Sequence, residues 1–91
     1  MYIKFYTKKF QKSYKKFLRS GKIERSDVDF VIDLLALGEK LSSLYRDHSL
    51  SGEYEGYREC HIHSNILLIY KIEDEKLVLV IFDIGTHSEL F

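Results

Sequence analysis

The sequence predicts an α+β fold: two N-terminal helices packed on one face of a small, mostly antiparallel four-stranded sheet, in the order β-α-α-β-β-β. Three observations carry that prediction. The hydropathic period switches from two residues to a helical repeat at Thr7. Gly21 and Gly38 each close an amphipathic stretch. The final third holds three aliphatic and aromatic runs bounded by polar turns, with no proline to break them.

Each element has its own signal. Met1, Ile3 and Phe5 alternate with Tyr2, Lys4 and Tyr6, the pattern of a short half-buried strand. Phe10, Tyr14, Phe17 and Leu18 then fall on one helical stripe, with Thr7 placed to cap the helix and Gly21 to stop it. Ser26 with Asp29 three positions on resembles a capping box for a second helix, whose inner stripe is Val28, Val31, Ile32 and Leu35 and whose end is Gly38. The polar stretch that follows, punctuated by Gly52 and Gly56, reads as a loop. Three strands are expected beyond it, over residues 54–62, 65–72 and 77–84, with 73–76 as the last turn. With both helices on one side, the other face of the sheet is left open.

The bulk numbers set limits. Ninety-one residues, 45% hydrophobic, make one small domain over residues 1–91. No run approaches the roughly 20 apolar residues of a membrane span, and "MYIKFYTKKF" lacks the apolar core of a signal peptide, so a cytoplasmic protein with no membrane partner is expected. The single cysteine, Cys60, cannot form an internal disulfide. A formal net charge of zero hides an asymmetry: residues 1–25 carry nine Lys/Arg against Glu24 alone, and the remainder is acidic. Such a basic end suits a polyanion, although a lysine-rich amphipathic helix can also simply solvate its outer face.

Reactive side chains crowd into "RECHIHSN" at 58–65. Strand alternation sends Glu59, His61 and, less firmly, His63 to the open face, and turns Arg58, Cys60 and Ile62 toward the helices. A His-x-His pair on a strand can hold a metal with His48 or His87 and a carboxylate, but it lacks the fixed spacing of a zinc motif. Histidine also suits acid-base chemistry, because its ordinary titration range lets it take and give a proton. Spacing alone leaves a third possibility, ordinary loop and edge histidines.

Resemblance separates these alternatives. The segments "RDHSLSG", "GYRECHI", "LLIYKI" and "GTHSELF" occur in one order and end the chain together. They are similar to the YafQ-like branch of the RelE superfamily of toxins from bacterial toxin-antitoxin pairs, small ribonucleases that cut messenger RNA on the ribosome. Carried over by motif, the resemblance implies catalytic His48, His61 and His87, and places Phe91 where the family's C-terminal aromatic meets the substrate. Where the family has an acidic residue and a tryptophan, this chain has Asn65 and Ile66; Asn65 can still bond a nucleotide, and Glu59 can stand in for the missing acid. His63 has no matching family histidine.

The chemistry so implied needs no cofactor or metal. A base takes the 2′-OH proton, positive groups steady the phosphorane-like transition state, and an acid protonates the departing 5′-oxygen. His48 and His61 fall on the base and phosphate side and His87 is the acid, with Arg58 as a structural or rim contact to substrate. DNA, lacking the 2′-OH, is refractory. Lys8, Lys9, Lys12, Lys15, Lys16 and Arg19 grip RNA or ribosomal phosphates. The partners implied are messenger RNA on the ribosome, a cognate antitoxin, and operator DNA only through the antitoxin complex. The alternative is a binding module that kept the fold and lost its chemistry.

Overall fold

The computed structural model describes residues 1–63 and 65–91. Its elements are β1 (Ile3–Tyr6), α1 (Lys8–Ser20), α2 (Arg25–Ala36), β2 (His48–Ser49), β3 (Arg58–His63), β4 (Ile66–Glu73), β5 (Val78–Gly85) and α3 (His87–Leu90). The sheet order is β1-β5-β4-β3-β2, with β1 parallel to β5 and the other pairs antiparallel. The helical pair therefore carries the chain from one sheet edge to the other. That crossing delivers His48 beside β3.

Both ends of α1 fall where the sequence puts them. The Thr7 hydroxyl accepts from the Phe10 N–H at 3.0 Å and donates to the Phe82 carbonyl at 2.6 Å, so the cap also ties α1 to β5. Gly21 closes the helix in the left-handed region at φ 73°. Phe10 and Phe17 are buried, and Tyr14 and Leu18 pack beside them.

Helix α2 starts earlier than its apparent capping box. Glu24 is the N-cap and makes no side-chain cap bond, so Ser26 lies within the first turn. The cause is apolar: Ile23 and Val28 occupy the two positions of a hydrophobic staple and are buried in the same core, which fixes the entry of the chain. The inner stripe is as expected, with Val28, Val31, Ile32 and Leu35 all buried against Cys60, Leu68, Tyr70, Leu79, Ile81 and Ile84.

The sheet has five strands rather than four, because His48–Ser49 pairs with β3 through His48↔Glu59 and Ser49↔Arg58. Strand β3 starts at Arg58, four residues later than expected, since Gly52–Tyr54 is a 3-10 turn and Gly56 takes φ 92° just before it. The second face is not fully open either. Leu67, Ile69 and Leu90 form a small core there with Leu50, Tyr54, Tyr57 and Phe82, and α3 lies over it.

Strand β1 inverts its hydropathy. Tyr2, Lys4 and Tyr6 turn toward the helices, where Lys4 pairs with Asp33 and the Tyr6 ring meets Phe10 at 5.7 Å. Ile3 and Phe5 are left 68% and 57% exposed. The outer edge is partly occupied: the Tyr2 N–H donates to the Ala36 carbonyl at 2.7 Å, and Gln11 Nε2 donates to the Tyr6 carbonyl at 3.0 Å.

The central strand β4 bears the most on stability, since Leu68 is fully buried between sheet and helices. Leu68→Ala is expected to cost about 2–5 kcal/mol, read from urea unfolding; a loss below about 1 kcal/mol would mean that this core is not close-packed.

Candidate active site

The site begins with a cross-strand pair. The β2–β3 register sets His48 opposite Glu59, and Glu59 opposite Ile69, so these side chains share the face that carries α3. Glu59 Oε1 lies 3.3 Å from His48 Nε2 and 3.8 Å from His61 Nε2. The carboxylate is only 5% exposed. A charge so removed from water requires polar partners, and two imidazoles from neighbouring strands supply them.

His48 is held from both sides. Its Nδ1 stands 2.7 Å from the Arg46 carbonyl, and a carbonyl can only accept, so Nδ1 carries a proton and Nε2 is the nitrogen presented to Glu59. Arg46 takes the left-handed region at φ 50°, a costly conformation for a residue with a Cβ. What maintains it is the next residue. The Asp47 carboxylate accepts from the Tyr70 hydroxyl at 2.5 Å and from Arg58 Nε and Nη2 at 3.3 and 3.4 Å. Burial, and then the bond to Asp47, push the Tyr70 hydroxyl well above its ordinary range, so it stays protonated and donating.

Arg58 is thereby committed to Asp47, on the helix side of β3 and away from His61. The alternation places it on this face, and its guanidinium remains partly exposed there. Sequence reasoning missed Asp47 and Tyr70; the available signal was that Tyr70 sits directly opposite Arg58 on the helix face, which needs the register and not the sequence alone.

His61 also lines a depression of about 400 Å³ with Asn65, Leu67, Thr86, His87 and Ser88. The structure thus brings His61 and His87 to one concavity and joins His48 to them through Glu59. His87 opens α3, which is fixed by a capping box: the Thr86 hydroxyl accepts from the Glu89 N–H at 3.3 Å, and Glu89 Oε1 accepts from the Thr86 N–H at 2.9 Å. The Thr86 N–H first, and then its hydroxyl, which donates to Glu89 Oε1 at 3.0 Å, hold the Glu89 carboxyl below the usual range. The T-x-x-E pattern of Thr86 and Glu89 is the signal by which this third helix, absent from the expected element order, could have been found. The Phe91 ring lies 5.0 Å from the His87 ring and 5.3 Å from Tyr54, and is 49% exposed. Half of it is seated and half is presented to solvent.

His63 parts from His61. A bulge in β3 shifts the register between them, and His63 Nε2 meets Asp27 of α2 at 3.2 Å while His61 faces Glu59. The His-x-His pair therefore does not present two imidazoles side by side. Among the described residues, no group of three or more His, Cys, Asp or Glu is arranged to hold a metal ion.

The basic helix divides its charge. Lys9 stands 3.8 Å from the buried Asp83 carboxylate and over the Phe82 ring, and Lys16 stands 3.9 Å from Glu89, linking α1 to the helix that bears His87. Lys12, Lys15, Lys16 and Arg19 line an outward depression, and Lys8 is exposed.

Cys60 faces the helices, as expected, and burial pushes its thiol far above the ordinary range. It is expected to resist an aromatic disulfide reagent in the native protein and to react stoichiometrically in urea. Rapid native labelling would show that this face opens.

Fold and site together define a class. The chain superposes over its full length on solved bacterial toxins: a metal-bound toxin from Helicobacter pylori at 34% identity and TM-score 0.94, covering 100% of both chains, and the Escherichia coli DinJ-YafQ complex at 28% identity and TM-score 0.87, covering 100% of this chain and 99% of that one. Within that class, the family model described as "Bacterial toxin of type II toxin-antitoxin system, YafQ" matches residues 2–91, and the chain belongs to this family. A curated relative, "mRNA interferase toxin YafQ" of Escherichia coli K12, is 42% identical over 52 residues, 56% of this chain and 53% of the relative. The chain spans about half the length of the curated relatives it matches.

Proposed function

We propose that this chain is the toxin of a type II toxin-antitoxin pair and cuts messenger RNA on the ribosome by acid-base catalysis. The observation that carries the reading is Glu59 Oε1 set between His48 Nε2 and His61 Nε2, with His61 and His87 lining one depression. A relative's name, "mRNA interferase toxin YafQ", agrees with it.

In the reaction, an imidazole on the His48–His61 side takes the proton of the RNA 2′-OH. The freed oxygen attacks the adjacent phosphorus, the 5′-oxygen departs, and His87 gives it a proton. A 2′,3′-cyclic phosphate and a 5′-OH result. Glu59 aligns the imidazoles and offsets their positive charge after proton transfer, the task for which Asn65 has no ionisable group. Asn65 bonds a nucleotide, and the exposed half of Phe91 receives a stacked base, worth about 1–3 kcal/mol in single-strand binders. Lys8, Lys12, Lys15 and Arg19 face phosphates, while Lys9 and Lys16 first hold Asp83 and Glu89.

An acidic antitoxin segment covering the basic surface would silence the toxin, and the complex would meet operator DNA through the antitoxin; that a structural neighbour is the Escherichia coli DinJ-YafQ toxin-antitoxin complex supports an antitoxin partner. No helix among the described residues is long and apolar enough to cross a membrane, in keeping with action in the cytoplasm.

One observation favours a second reading, RNA or antitoxin binding without cleavage. Ile66, where the family has tryptophan, is buried in the main core and offers nothing to the site. Purified protein that binds ribosomes and leaves their message intact would establish it.

Two substitutions test catalysis. His87→Ala is expected to abolish growth arrest on expression while the circular dichroism spectrum stays native; undiminished toxicity would remove His87 from the mechanism. Glu59→Gln keeps shape and removes charge, and is expected to slow message cleavage on the order of 10²–10⁴-fold. Cleavage at the parent rate would show that the carboxylate is structural.

A further inference from the structure

A second depression adjoins the first. Leu44, Tyr45, Arg46, His61, Ile62 and His63 line it, its volume is about 460 Å³, and His61 is common to both. That volume lies within the range of small-ligand sites.

Its wall is unusual in what it exposes. Leu44 is 86% exposed, although it sits in a loop that is tightly specified. The Ser42 hydroxyl accepts from the Leu44 N–H at 3.3 Å, the Tyr45 and Arg46 N–H groups donate to the Ser42 and Ser43 carbonyls at 3.1 Å, and Asp47 is anchored by Tyr70 and Arg58. A loop this constrained does not display a leucine by slackness. Beside it, the Arg46 guanidinium has no ion-pair partner among the described residues, although acids outnumber bases beyond residue 25. An apolar platform, an uncommitted guanidinium and an imidazole around one concavity match a base, a phosphate and a ribose.

We infer that this depression is a subsite for the nucleotide next to the one bound at His61 and His87, with Leu44 and Tyr45 under the base and Arg46 on its phosphate. The inference rests on the RNA-cleaving reading and extends it. The strand would pass from one concavity to the other over His61, which places a backbone phosphate where the imidazoles meet. His63, held to Asp27, forms the far wall, giving a role to the histidine that the family pattern leaves unmatched.

The test is a titration of the full chain with a 2′-O-methyl trinucleotide, which cannot be cleaved, read by NMR at the Leu44 methyls, the Arg46 side chain and the four imidazoles. Shifts are expected at Leu44, Arg46 and His63 as well as at His61 and His87. Leu44→Ser and Arg46→Gln are each expected to weaken binding about fivefold, and Arg46→Gln to reduce the salt slope by about 0.7, as for one lost single-strand phosphate contact. Shifts confined to the His61 and His87 side, or unchanged affinity in both variants, would overturn the subsite, as would shifts at Leu44 and Arg46 elicited by an antitoxin peptide and not by RNA. The two readings fail separately. Binding across both depressions by a protein that leaves ribosomal message uncut refutes cleavage and keeps the subsite; cleavage with shifts on one side only does the reverse.

Discussion

A carboxylate withdrawn from water needs polar neighbours that can turn positive, and much of this molecule follows from how Glu59 is met. One imidazole comes from its own strand two residues on, which costs the fold nothing. The other must be brought from 11 positions earlier in the chain, and a two-residue strand does it. So short a strand has little hold of its own, and the remaining order is supplied by Asp47, whose carboxylate is gripped by Tyr70 and Arg58 on the opposite side of the sheet. Two buried or half-buried acids, one on each face, thus fix the same three-residue stretch, and the positive φ of Arg46 is the conformational strain that this double attachment sustains.

The sheet keeps its two faces distinct in chemistry. One is an apolar layer against α1 and α2; the other pairs a small aromatic cluster with the histidines. Alternation along β3 distributes residues between them until the bulge after His61, which sends His63 to α2. A second register shift lies between β4 and β5: Ile69 faces Asp83 and Tyr70 faces Ile81, with Phe82 the extra residue between them. Irregular pairing near a sheet's functional end is a common means of re-aiming side chains.

The helical half of the fold was legible because its signals are local: a cap, a stripe and a stopping glycine lie within a dozen residues of one another. The face of Cys60 and of Glu59 was legible for the same reason, since alternation needs only the strand. What escaped was set at long range. The start of α2 yielded to burial of Ile23 over the more conspicuous Ser26, and β2 exists only through its partner, having no pattern of its own. Alternation predicted the wrong side for His63 because a bulge is invisible in residue types. The convergence of His48, His61 and His87 came from motif resemblance; no periodicity relates three segments so far apart. Resemblance could not anticipate that Arg58 is spent on Asp47, or that two of the six helix cations are already paired.

The outer strand carries a last consequence. Ile3 and Phe5 leave an apolar surface on β1, one of the two edge strands of the sheet, the arrangement that invites copies of a chain to stack edge to edge. Yet its first N–H is taken by the end of α2 and its last carbonyl by Gln11, with charged Lys4 between them. The strand that is stickiest by side chain is thus closed at both ends by backbone bonds, which leaves Lys4 alone between them, so crowding at high concentration should yield loose, reversible clustering rather than a continuous intermolecular sheet.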